Sequence, residues 1–253
     1  MRRDDLRHAR LVGAASTPDR LIEQDRLIEH DRRRWQSALV LSAAFALALW
    51  LVRTLEAFAG TSFLHLGIYP RQWTGLAGIL LAPFVHGSWG HLVANTTPVI
   101  VLGTALLYGY PRAARIVVPV LFLAVGLGVW LFARPSYHVG ASGLTFGAMF
   151  FVFAIGVLRR DRRAIALAMI VFFMYGGMVW GVLPGDPQIS FESHLAGALT
   201  GVTLAVLLRD ADPRPPEKRY SWELEREAAE DLEWVERIEE GASPGSSTRL
   251  PGA

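Results

Sequence analysis

The chain has 253 residues, of which 52% are hydrophobic and 19% charged, with a formal net charge of +2. It has no cysteine, which excludes disulfides, thiolate catalysis and zinc–thiolate sites. Between Gln36 and Leu208 the only acidic residues are Glu56, Asp161, Asp186 and Glu192. Apolar runs of about 17–20 residues, the length that crosses a bilayer core, recur between them, so the chain reads as a polytopic membrane protein rather than a soluble domain. The net charge says little about partners, and no nucleic-acid partner is expected.

In chain order, Met1–Arg34 is charged and lacks the apolar core of a cleavable signal peptide. Residues 1–35 are expected to form a cytoplasmic tail. Within it Arg-Leu-Ile-Glu-Gln-Asp is followed at once by Arg-Leu-Ile-Glu-His-Asp, over Arg20–Asp31. This duplication predicts a solvated or surface-lying helix ahead of Arg32, Arg33 and Arg34, which suit anionic lipid headgroups. Residues 36–208 are expected to form an all-α domain of six spans: Gln36–Val52, Leu92–Leu107, Ile116–Phe132, Ser142–Leu158, Ala164–Val182 and Ser190–Leu208. The connection Arg53–His91 is long, and its apolar piece Leu76–Phe84 is too short to span. It is expected to fold partly into the outer leaflet or against the bundle. Residues 209–253 read as a cytoplasmic tail, with a Pro- and charge-rich linker, Arg209–Arg219, leading to an acidic helix over Glu223–Glu240. That helix carries a stripe of Leu224, Ala228, Leu232, Val235 and Ile238, and Gly241–Ala253 reads as disordered.

Of the 25 Lys and Arg residues, only Arg53, Arg71 and Arg134 lie in the first and third connections, and none lies in the fifth. The positive-inside bias therefore predicts that both termini are cytoplasmic, in the cell (inner or plasma) membrane. With that orientation Ser142 opens the fourth span at its outer end, and His194 lies about one turn inside the sixth span from the same side. An intramembrane hydroxyl and imidazole at matched depth suggest a nucleophile and its base. Gly143 and Gly147 follow Ser142 four apart, and Gly197 and Gly201 follow His194 at i+3 and i+7. Stripes of this kind let helix backbones approach closely, so packing the stripes together would bring the hydroxyl to the imidazole. Phe146, one turn after Ser142, is placed to stack on His194.

His86, His91 and Asn95 cluster at the outer entrance of the second span, and His91 and Asn95 share a helical face. Acyl transfer needs donors for the oxyanion, and an Asn amide, a His N–H and the Ser142 backbone N–H are suitable. A metal site built from His86, His91 and either His138 or His194 is the competing reading. A catalytic zinc protease would carry His-Glu-x-x-His, and no histidine here is followed by Glu. No carboxylate is placed to complete a triad. Asp161 is at the other membrane face, Asp186 is in an outer loop, and Glu192 points about 200° away from His194 around the helix. The expectation is a Ser–His dyad with no metal and no cofactor.

Together these residues resemble the rhomboid family of intramembrane serine proteases, in its bacterial form. The matching elements are His86, His91 and Asn95, then Gly140-x-Ser142-Gly143, then His194-x-x-Gly197-x-x-x-Gly201, with Gly75–His86 similar to the family's first loop. The resemblance spans roughly residues 36–208. It implies a six-helix rhomboid-like bundle with a cavity open to the outside, Ser142 as nucleophile, and His194 as general base. It also implies an oxyanion hole from His91, Asn95 and the Ser142 N–H, with His86, Gly140, Phe146, Gly197 and Gly201 in supporting roles. Some members carry Tyr where Phe146 stands, and the first loop lacks the Trp-Arg pair of others. The implied partners are transmembrane protein substrates and membrane lipids. The alternative is a non-catalytic rhomboid-like protein that binds membrane proteins.

Overall fold

Among the described residues of the computed structural model, six helices are long and apolar enough to cross a membrane. The structure describes residues 17–214 and, further on, residues 226, 229–235 and 237. The spans are α1 (Thr17–Ala59), α2 (Trp89–Gly109), α3 (Pro111–Phe132), α4 (Ser142–Arg159), α5 (Arg162–Tyr175, continued as a 3-10 helix over Gly176–Val182) and α6 (Phe191–Leu208). Among the described residues there are no strands, only an isolated antiparallel bridge between Ile68 and His138. The all-α six-span architecture expected from the sequence is what the chain forms.

The largest difference is at the start. The duplicated segment is not a separate helix but lies within the first half of α1, which runs unbroken for 43 residues. Between Pro18 and Gly60 the chain has no Gly or Pro, so nothing interrupts the backbone ladder. Gly60, at φ +61°, ends it with the left-handed turn that glycine adopts without penalty. The other spans start where side chains satisfy free N–H groups. Ser88, Asp161 and Ser190 accept from the N–H groups of His91, Ala164 and Ser193 to open α2, α5 and α6.

Residues 60–88 fold against the bundle, as expected, through three 3-10 turns and a four-residue α-turn over Gly78–Leu81. The Trp130 indole N–H donates to Gln72 O at 2.9 Å, and Arg71 donates to the carbonyls of Leu131 and Ala133. Glu56, buried at the end of α1, pairs with Arg53 and accepts from the Phe63 N–H at 2.9 Å. The long connection is therefore tied to α1 at one end and to α3 at the other.

α4 is the central helix. Of its apolar window 61% is buried inside the protein, against 11% for α5. Phe151, Val152 and Ile155 are fully buried along it. At the end of the bundle away from Ser142, Asp212 accepts from the Arg112 and Ala113 N–H groups at 2.9 and 3.0 Å and so caps α3. Arg159 donates to the carbonyls of Asp212 and Pro213 and to the Asp161 carboxylate. These bonds fix the chain beyond α6 to the ends of α3 and α4.

The compact unit containing the spans ends at Arg214. In the separate C-terminal unit the described residues are helical and exposed, with Arg226–Glu230 and Arg237–Glu233 pairs one turn apart. Leu232 and Val235 of the expected apolar stripe are exposed there, while Leu224, Ala228, Ile238 and residues 241–253 lie outside the described residues.

Asp212→Ala should lower the stability of the detergent-solubilised protein by about 1–2 kcal/mol, the value of a lost helix cap. Asp210→Ala, which removes only exposed pairs with Arg209 and Arg214, should change it by less than about 0.5 kcal/mol. Equilibrium unfolding of the two variants side by side checks this.

Candidate active site

Ser142 is the first residue of α4, and His194 lies in the first turn of α6. The two helices form the most extensive interface in the bundle. The reason is the pair of glycines on α6. A Cβ at Gly197 would sit 2.1 Å from Gly143 O, and one at Gly201 would sit 2.2 Å from Gly147 O. Only hydrogen fits in those gaps, so the α6 backbone lies directly on the α4 backbone. The α4 glycines are used differently from expectation. A Cβ at Gly147 would meet Leu121 Cδ2 of α3 at 2.2 Å, and one at Gly143 would meet Val125 Cγ1 at 2.7 Å and Ser193 O at 3.0 Å. The α6 stripe therefore packs on α4 backbone, while the α4 glycines also admit side chains from α3.

This contact brings His194 Nε2 to 2.9 Å from Ser142 Oγ. Phe146 stacks on the imidazole with ring centroids 3.9 Å apart and planes within 7°. The other ring nitrogen, Nδ1, lies 2.9 Å from the carbonyl oxygen of Gly181, in the 3-10 segment after α5. Among the described residues no carboxylate stands behind His194. Glu192 instead accepts from the Arg134 N–H and faces its guanidinium at 3.6 Å.

The segment entering α4 is shaped by Gly140. Its φ of +106° is open to glycine alone, and a Cβ there would lie 2.6 Å from His91 Cε1. The His91 ring thus rests against the backbone two residues before Ser142. Asn95, buried one turn along α2, donates one amide hydrogen to His91 O at 3.0 Å. The second amide hydrogen remains for another acceptor. As the first helical residue, Ser142 also has a backbone N–H with no intrahelical carbonyl to meet.

Ser142, His194, His91, Asn95 and Phe146 line one cavity of about 760 Å³, which also reaches Met178 and the loop over residues 186–190. His86 does not line it. That side chain is 1% exposed, with its ring 5.0 Å from that of His91 and edge-on to it. Burial, with the neighbouring His91 adding to it, pushes its pKa down to about 4. His86 is therefore a neutral packing partner of His91, set back from the cavity.

His138 was named in the sequence only as a possible metal ligand. Its Nδ1 lies 2.6 Å from Ser190 Oγ and its Nε2 lies 3.0 Å from Arg134 O. Arg134 also donates to the carbonyls of Pro187 and Ile189 at 2.8 and 2.7 Å. These bonds tie the loop before α6 to the segment before α4, and Arg134, His138 and Ser190 line the same cavity as Ser142 and His194. His138 and His194 each have both ring nitrogens in hydrogen bonds, whereas the buried His86 nitrogens have no hydrogen-bond partner among the described residues. Among the described residues no group of three or more His, Asp or Glu side chains is arranged to hold a metal. Two features escaped the sequence reading, the Gly181 carbonyl and the His138–Ser190 bond. The first is a backbone atom and the second joins residues 52 positions apart.

The fold and the site together define a membrane-embedded six-span helical bundle in which a serine and a histidine are hydrogen-bonded inside one cavity. A family model described as Rhomboid domain matches residues 71–211, and the chain belongs to the rhomboid family, whose members are generally intramembrane serine proteases. Similar proteins include "Uncharacterized protein Rv1337" of Mycobacterium tuberculosis (strain ATCC 25618 / H37Rv). It is 35% identical over 187 residues, covering 70% of this chain and 78% of the relative. "Uncharacterized protein ML1171" of Mycobacterium leprae (strain TN) is also 35% identical, covering 70% of this chain and 74% of its own length.

Gly197→Ala should force α6 off α4, because the atom in the way is a backbone oxygen that cannot rotate aside. The expected loss is about 1–3 kcal/mol, typical of overpacking. Gly177→Ala, where an added Cβ meets nothing within 4 Å, should be nearly neutral. Unfolding of both in the same detergent decides it.

Proposed function

We propose that this protein is an intramembrane serine endopeptidase that cleaves transmembrane segments of other membrane proteins. The observation that carries this reading is the 2.9 Å contact between Ser142 Oγ and His194 Nε2, inside a cavity that also holds His91 and Asn95. A hydroxyl hydrogen-bonded to an imidazole nitrogen is the starting geometry for nucleophilic attack.

In this mechanism a substrate helix enters between spans and unwinds locally, because an intact helix shields its scissile carbonyl. Ser142 Oγ attacks that carbonyl carbon as His194 Nε2 takes the hydroxyl proton. The oxyanion that forms is met by the Ser142 backbone N–H, the free amide hydrogen of Asn95 and the His91 ring. Collapse breaks the C–N bond, and the proton on Nε2 goes to the leaving amine. Water entering through the cavity then attacks the acyl-enzyme, with the imidazole again acting as base, and Ser142 is regenerated. Phe146 holds the ring plane throughout. Substrates with helix-weakening Gly or Pro near the cut are preferred, and a small residue before the cut follows from the family resemblance. The membrane is the cell membrane, with both termini cytoplasmic and the cavity facing outward. Residues 36–208 are the protease domain between two cytoplasmic tails.

The test is a reconstituted cleavage assay on a panel of single-span proteins. Ser142→Ala should remain folded and cut nothing, and robust cleavage by it would refute the reading. Asn95→Ala should lower kcat by about a hundredfold, the scale of one lost oxyanion donor, with a smaller change in KM. An unchanged kcat would remove Asn95 from the oxyanion hole.

A further inference from the structure

Among the described residues no carboxylate orients the imidazole of the Ser142–His194 pair, yet the ring is held at both nitrogens. A carbonyl oxygen only accepts, so the 2.9 Å contact between His194 Nδ1 and Gly181 O requires the hydrogen on Nδ1. In the neutral ring that leaves Nε2 with its lone pair toward Ser142 Oγ, which is the tautomer a base needs.

The local sequence explains why this carbonyl is free. Gly181 lies in the 3-10 helix Gly176–Val182, where each carbonyl meets the N–H three residues on. Trp180 O is met in that way by Leu183 N at 3.2 Å. For Gly181 the residue three on is Pro184, which has no N–H. Leu183 then turns to extended backbone, at φ −94° and ψ 150°, and carries the following residues off the helical path. The Gly181 oxygen is thus left without a helical donor beside a buried imidazole. The same residue has to be glycine at the contact. A Cβ there would lie 2.8 Å from Phe146 Cζ and 3.3 Å from His194 Nδ1, wedging the ring stack.

We propose that the backbone carbonyl of Gly181, freed by Pro184, is the positioning group for His194 and fills the place of a triad carboxylate. This rests on the dyad reading above and deepens it. The carbonyl belongs to the span that is least buried in the bundle, so the orientation of the base depends on where the 3-10 segment stands. A displacement of that segment that carries Gly181 away also releases the ring.

The experiment uses the full chain in lipid nanodiscs as wild type, Gly181→Ala, Pro184→Ala and Ser142→Ala. Three quantities are read: the rate of Ser142 labelling by a fluorophosphonate, kcat and KM on a cleaved substrate, and the 15N signals of the His194 ring, identified by their absence in His194→Asn. The wild type should show the Nδ1–H tautomer. Gly181→Ala should lose about tenfold in both labelling rate and kcat, the scale of one hydrogen bond, with KM within about twofold and mixed tautomers. Pro184→Ala restores an N–H that competes for the carbonyl, so it should move all three readouts the same way by about threefold. Should Gly181→Ala fail to fold, Pro184→Ala decides. Wild-type labelling rates in the folded variants would overturn the proposal, as would an effect confined to KM, or a rate loss with the tautomer unchanged. A wild type that is not labelled at Ser142 would overturn the dyad itself, whereas failure of the Gly181 prediction alone would leave the Ser142 dependence intact.

Discussion

The structure depends on one contact, the α6 backbone lying on the α4 backbone at Gly197 and Gly201. Within a bilayer, helices gain little from hiding apolar surface, because lipid tails are as apolar as leucine. Close packing therefore has to supply the attraction, and closeness requires the absence of side chains. The gaps of 2.1 and 2.2 Å that a Cβ would meet leave no alternative to glycine. The same contact fixes the distance between two residues 52 apart in sequence. Stability of the bundle and assembly of the site thus come from the same atoms.

The second constraint is the cost of polar groups in an apolar environment. The structure places its charged side chains toward the two ends. At the Ser142 end, Arg134, His138, Ser190 and Ser193 form a connected set of hydrogen bonds. At the other end, Asp212 and Arg159 satisfy free backbone groups of α3 and of the chain leaving α6. Between them the bundle is held by apolar packing around α4, whose Phe151, Val152 and Ile155 are fully buried. The rigidity needed at the site is thus supported by locks on both sides of the α4–α6 seam.

Much of this was legible in the chain. Runs of apolar residues without carboxylates marked the spans, and the i+4 spacing of Phe146 from Ser142 anticipated its stack on His194. The α6 glycines were legible because they share a helix face with His194. Other features depend on what packs against what. α1 is longer than its apolar run because helix continuity depends on the absence of breakers, and the polar duplicated segment contains none. Gly147 faces Leu121 of α3, a choice that no local pattern encodes. Asp212 caps a helix that begins about a hundred residues earlier, and Gly181 contributes a backbone oxygen, so neither has a residue-type signature.

A serine made nucleophilic by a histidine, held by helix packing and a neutral acceptor, is the central claim. It is tested most directly by treating the membrane-embedded protein with a fluorophosphonate and locating the adduct by peptide mass spectrometry. The account predicts a single adduct, on Ser142, that disappears in His194→Ala while the fold persists. An unmodified Ser142 in the wild type, or equal modification in His194→Ala, would contradict it.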